Sequence, residues 1–211
     1  LPKVSKMVAM KDQVKISKFA YNGTLYSSII VALLCFPIII SAKSLITLYV
    51  GEQYAYLSGW LVLWSVTLLL FLHNSPVASM VLATGKTRML VISSAISCIV
   101  SIIINALLTS EVGVGSAVIG YFVYIIIQMS FYYLYFNNKV LNIESWRVFK
   151  SFIIPTLIGT VLFFLVSFIE LNENLLILQE IFRILLWVSS FITSLFVFKL
   201  LDFQHFLSTV K

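Results

Sequence analysis

The sequence predicts an all-α membrane protein with six transmembrane helices, and three observations carry that prediction. The first is composition. Of the residues, 61% are hydrophobic and only 10% are charged, and the mean hydropathy is +1.05; an ordinary soluble domain carries about 25% charged residues. The second is run length. The stretch Leu57 to Ala83 covers 27 residues, which as a helix is about 40 Å, more than the ~30 Å hydrocarbon core of a bilayer. A membrane β-barrel would instead alternate in segments of about ten residues. The third is the placement of Lys and Arg, which gather in every second loop as membrane insertion requires.

In chain order, residues 1–24 form a basic juxtamembrane segment. Lys3, Lys6, Lys11, Lys15 and Lys18 face a single acid, Asp12. Lys11, Lys15 and Lys18 share one helical face, so the segment is expected to rest as a helix on anionic headgroups. Residues 25–136 then hold four spans: Leu25 to about Leu48, Leu57 to Ala83, Met89 to Leu108, and about Gly113 to Phe136. Residues 137–150 form a loop with Lys139, Glu144, Arg147 and Lys150. Residues 151–201 hold two further spans around an acidic loop with Glu170, Glu173 and Glu180, and residues 202–211 form a tail. Cys35 and Cys98 both lie in apolar runs and read as small packing residues.

With the amino terminus inside, 12 of the 14 basic residues fall on the inner side and five of the eight acids on the outer side. Only Lys43 and Arg183 are basic residues near the outer side. This alternation puts both ends of the chain in the cytoplasm. The start at Leu1 rather than Met reads as that of a fragment.

The second span carries the most unusual chemistry. Its apolar run is broken by His73-Asn74-Ser75-Pro76 a little past mid-depth. Proline has no N–H, so a carbonyl near Leu72 loses its helical partner. Freed backbone and polar side chains at this depth need protein or a water-filled cavity around them. His73 is the one His, Asp or Glu deep in a span. It reads either as a hydrogen-bonded structural histidine or as a protonation switch.

Two other spans carry polar faces. Ser93, Ser97, Ser101 and Asn105 recur every four residues and make one stripe on the third span, bordered by Ser94 and Cys98. The stripe fits close helix packing or a cavity wall. Tyr121, Tyr124, Gln128, Tyr132 and Tyr135 fall on one face of the fourth span. Tyr132 and Tyr135 sit where aromatic belts are expected, whereas Tyr124 and Gln128 at mid-depth need partners. That face suits a glycan passage or helix-to-helix hydrogen bonding.

Enzymatic motifs are missing. Ala83-Thr84-Gly85-Lys86-Thr87 ends like a phosphate-binding loop, but Met80 stands where that loop needs its first glycine. Gly113-Val114-Gly115 has Val118 where a dinucleotide fingerprint needs a third glycine. No pattern points to an enzyme, a metal, a cofactor or a nucleic acid.

Four marks together resemble the polysaccharide flippase family, of the exporter superfamily that also holds multidrug extruders and the lipid II flippase. They are Leu1-Pro2-x-x-Ser5 ahead of a charged segment, Gly51-x-x-Tyr54 after the next span, Ala83-Thr84-Gly85-Lys86 closing the span after that, and Asn105 followed by Gly113-x-Gly115-Ser116-Ala117. The likeness runs from Leu1 to about Tyr135, with residues 149–201 resembling the extra terminal spans of longer members. It implies the C-terminal lobe of a two-lobed transporter working by alternating access in the bacterial cytoplasmic membrane. The implied substrate is a polyprenyl-pyrophosphate-linked oligosaccharide moved to the outer leaflet, with other polysaccharide-assembly membrane proteins as partners. Candidate cavity residues are His73, Asn74, Asn105, Tyr121, Tyr124, Gln128, Lys43 and Arg183; of these, Asn74, Asn105, Tyr124 and Gln128 would bond sugar, and Lys43 and Arg183 are the basic residues offered to phosphate. A multidrug extruder of the same superfamily and a non-transporting component of envelope polysaccharide assembly are the alternatives.

Overall fold

The computed structural model describes residues 2–10, 12–169 and 176–200. Lys11, Glu170, Glu173 and the tail at 202–211 lie outside the described residues. Among the described residues the secondary structure is helical with no strand, and six helices are long and apolar enough to cross a membrane. The protein is an all-α membrane protein.

Helix α1 (Pro2–Ala9) is a separate helix, and α2 runs unbroken over Gln13–Ile40. Asp12 starts α2: its carboxylate accepts a hydrogen bond from Lys15 N at 3.1 Å and pairs with Lys15 Nζ at 2.8 Å. Those hydrogen bonds hold the Asp12 carboxyl below the usual carboxylate range. This corrects the expected separate segment ending at residue 24. Lys15 and Lys18 ride on the first turns of the membrane helix itself, because the Asp12 cap nucleates it there and no breaker follows. After Pro37 the helix bends at Ser41, whose N–H and hydroxyl both donate to the Pro37 carbonyl, at 3.1 and 2.7 Å, and α3 (Ala42–Tyr49) follows.

A tight helical turn over Glu52–Leu57 leads into α4 (Ser58–Leu72) and, past a break, α5 (Ser75–Ala83). His73 (φ −60°, ψ −29°) and Asn74 (φ −83°, ψ −1°) keep right-handed conformations, so the span bends instead of turning back. Helices α6 (Arg88–Val112) and α7 (Gly115–Phe131) form an antiparallel pair, and α7 continues as a wider π-helical segment over Tyr132–Val140. Helices α8 (Ser145–Ser167) and α9 (Leu176–Val197) complete the chain.

Two apolar clusters hold these elements. In one, Phe36 of α2 stacks on Trp187 of α9 at 4.9 Å, Trp187 stacks on Phe191 at 4.8 Å, and Trp187 Nε1 donates to the Gly159 carbonyl of α8 at 3.0 Å. The other joins Val4, Ala20, Val81, Phe136 and Val148 from five elements at one end of the bundle. There Gln13 Nε2 donates to the carbonyls of Leu141 and Asn142 at 2.8 and 2.6 Å, and Glu144 N donates to the Tyr21 hydroxyl at 3.2 Å. The starts of α2 and α8 therefore share one end, together with the basic residues flanking α6 and α8. We call it the basic face.

Helix α6 shows how the bundle is patterned. Ser93 and Ser97 are buried, while Ile99 is 58% exposed and Leu107 71% exposed. The polar stripe points inward and the apolar one outward, the reverse of a soluble helix and the arrangement a lipid solvent demands. The stripe lies against α7 at Gly120, where a Cβ would meet the Ser101 carbonyl oxygen at 3.0 Å and Asn105 Cβ at 3.3 Å. Gly120→Ile is expected to force α6 and α7 apart at a cost of roughly 1–3 kcal/mol. Denaturant unfolding in detergent reads this directly, and an unchanged midpoint would contradict the packing.

Candidate functional site

The site grows out of Pro76. Its ring interrupts the hydrogen-bond ladder, and helix α5 restarts with Ala78 N donating to the Asn74 carbonyl at 2.9 Å. The bulge is accommodated by α2: a Cβ on Gly23 would lie 2.8 Å from Pro76 Cβ, so only glycine leaves room for the crossing. Thr24 beside Gly23 is fully buried in the same helix contact.

The break exposes two side chains to different surroundings. His73 is fully buried. Its ring stacks on Phe152 with centroids 3.9 Å apart, Nδ1 lies 3.3 Å from the Leu69 carbonyl, and Nε2 lies 3.0 Å from the Tyr133 hydroxyl. The pattern fits a neutral ring donating from Nδ1 and accepting at Nε2. Asn74 is only 5% exposed, and its Oδ1 has no hydrogen-bond partner. An unpaired amide oxygen at this depth is costly unless water or a ligand reaches it.

Asn74 borders a pocket of about 240 Å³. Ser75 lines it from the break, Ser94 from α6, and Tyr124, Gln128 and Tyr132 from α7 and its π-helical end. Leu72, Leu90, Ile125 and Met129 supply apolar wall. Gln128 Nε2 donates to Ser94 Oγ at 3.0 Å, which fixes the amide. Every polar lining group is uncharged. Such a set recognises hydroxyls, and it offers no cation to a phosphate.

The structure places Asn74, Tyr124 and Gln128 around one pocket and leaves the other candidates out of its lining. His73 lies behind the pocket, consumed by Tyr133 and Phe152. Tyr121 stacks on Trp64 of α4 at 5.0 Å and on Tyr124 at 6.0 Å, and so braces the pocket without lining it. Asn105 Oδ1 accepts from the Ser116 hydroxyl at 2.7 Å, which makes the serine stripe a helix-packing seam. Lys43 is exposed on α3. Arg183 serves the bundle locally: Nε donates to the Ile169 carbonyl at 3.0 Å just beyond α8, and the guanidinium approaches Glu180 at 3.7 Å. Neither basic residue reaches the pocket.

Sequence reasoning missed Tyr133. Spacing put Tyr132 and Tyr135 on the functional face, but the π-helical segment begins at Tyr132 and turns the next residues relative to an α-helix. Tyr133 thereby reaches His73, and no residue pattern announces that shift. Ser94 was visible only as a border of the stripe. Among the described residues no group of three or more His, Cys, Asp or Glu is placed to hold a metal ion.

Compared with known proteins, the chain matches no family model, no curated protein and no solved structure.

The Asn105–Ser116 contact can be weighed directly. A double-mutant cycle with Asn105→Ala and Ser116→Ala is expected to give a coupling of about 0.6 kcal/mol, the average for hydrogen bonds between membrane helices. Strict additivity in the unfolding free energies would remove the seam from this account.

Proposed function

We propose that the chain is the C-terminal lobe of a flippase that carries a polyprenyl-pyrophosphate-linked oligosaccharide across the bacterial cytoplasmic membrane, with both ends of this chain cytoplasmic. The observation that supports this reading is the uncharged pocket at the break of the second span. Glycan hydroxyls cannot cross hydrocarbon unaided. Asn74 Oδ1, fixed Gln128 and the phenol of Tyr124 offer them acceptors and donors at membrane depth.

The pocket's size limits its part. At about 240 Å³ it falls below the ~300–1,000 Å³ usual for drug-sized ligands. It takes one sugar ring at a time, and the rest of the glycan and the pyrophosphate contact other surfaces. Among the described residues no Asp or Glu lies in the pocket, and a cationic drug would need one there. The lining thus favours a glycan over the substrates of a multidrug extruder. Partner proteins of polysaccharide assembly belong to the same reading.

The test is made in the native host. Asn74→Leu and Tyr124→Leu are expected to cut surface polysaccharide at least tenfold and to leave lipid-linked glycan stranded in the cytoplasmic leaflet, at normal protein levels. Tyr121→Phe, which keeps the stacked ring, is expected to act like the wild type. Normal polysaccharide in both pocket variants would end the proposal.

A further inference from the structure

A second concavity lies on the other side of Met129. It is a groove of about 700 Å³ between the end of α7 and the start of α8, with Leu70 of α4 also on its wall. Leu134, Phe149 and Phe152 make it predominantly apolar, and Asn138, Ser145 and Trp146 line it toward the basic face. Those two polar side chains are already engaged. The Ser145 hydroxyl donates to the Tyr133 carbonyl and lies 3.2 Å from Asn138 Oδ1. The free chemistry at that end is cationic. Lys150 Nζ sits 5.5 Å above the Trp146 ring, which stacks on Phe149 at 5.5 Å. Arg147 is paired with Glu144 at 2.8 Å, whereas among the described residues Lys139 and Lys150 have no ion pair.

We propose that this groove holds one acyl chain of an anionic phospholipid, with its headgroup phosphate at Lys150. The argument is charge complementarity at the mouth of an apolar trough. A tryptophan at the interface marks the depth of the headgroups. An unpaired lysine held over that ring places positive charge where the phosphate of a chain in the groove must lie. A zwitterionic lipid offers the same chain but no net charge, so Lys150 supplies the selectivity. Each basic residue near an anionic surface favours binding by about fivefold. This site is independent of the flippase reading.

The experiment uses the whole chain in phosphatidylcholine nanodiscs. Phosphatidylglycerol with dibrominated chains is titrated in, and phosphatidylcholine with the same chains serves as comparison. Quenching of Trp146 is read as the difference from Trp146→Phe, since Trp60, Trp64 and Trp187 also emit. Half-quenching is expected at about fivefold lower mole fraction of the anionic lipid, and Lys150→Gln is expected to erase that difference. Native mass spectrometry provides a second readout: wild type should retain phosphatidylglycerol that Lys150→Gln loses. Equal quenching by both lipids, an unchanged preference in Lys150→Gln, absence of Trp146 quenching, or displacement of phosphatidylglycerol by equimolar polyprenyl phosphate would each overturn the proposal.

Discussion

A helix broken inside hydrocarbon must find partners for everything the break releases, and this bundle is arranged around that constraint. Pro76 removes a donor at mid-membrane. Gly23 of α2 makes room for the bend, Tyr133 and Leu69 take the two nitrogens of His73, and Phe152 covers its ring. Three other helices thus converge on four residues of sequence. Asn74 is the remainder. Its side-chain oxygen stays unpaired, and the space beside it is the pocket. An unpaired amide oxygen thus stands beside a fixed glutamine and two phenols, a set that can exchange hydrogen bonds with hydroxyl groups.

The same solvent logic governs the remaining surfaces. On α6 the serines face inward and the isoleucines outward. Ser101 and Asn105 let α7 approach α6 closely at Gly120, and Ser116 donates to Asn105 across the seam. Charges are kept to the ends. Arg183 is spent on a carbonyl beyond α8, and the basic face collects the lysines that border α2 and α8. The polar lining of the pocket is left uncharged.

How far the residues alone foretold this depends on the range of the interaction. The six spans, the break at His73–Pro76 and the shared face of Tyr124 and Gln128 follow from hydropathy, proline chemistry and helical period, which are local, whereas the meeting of that face with Asn74 is not. Gly51, Gly85 and Gly113, which stand between spans, all adopt positive φ, a conformation that favours glycine. Long-range choices were not legible. Nothing local says that Asn105 prefers Ser116 to a cavity, that Arg183 caps α8, or that Tyr121 stacks on Trp64. The early start of α2 turned on one Asp12 cap, outweighed in the sequence by the lysines around it. Tyr133 was hidden for a geometric reason, because a π-helical segment changes the period on which any facing argument rests.

The central claim is that polar side chains at the break shelter a hydrated pocket inside the bundle. It is tested most directly by thiol accessibility in a chain with Cys35 and Cys98 replaced. Ser94→Cys, nearly isosteric and on the pocket wall, is predicted to react with a small charged, membrane-impermeant thiosulfonate, while Ile96→Cys on the outward face of the same helix stays unreactive. A Ser94→Cys thiol as inert as that at position 96 would contradict the account.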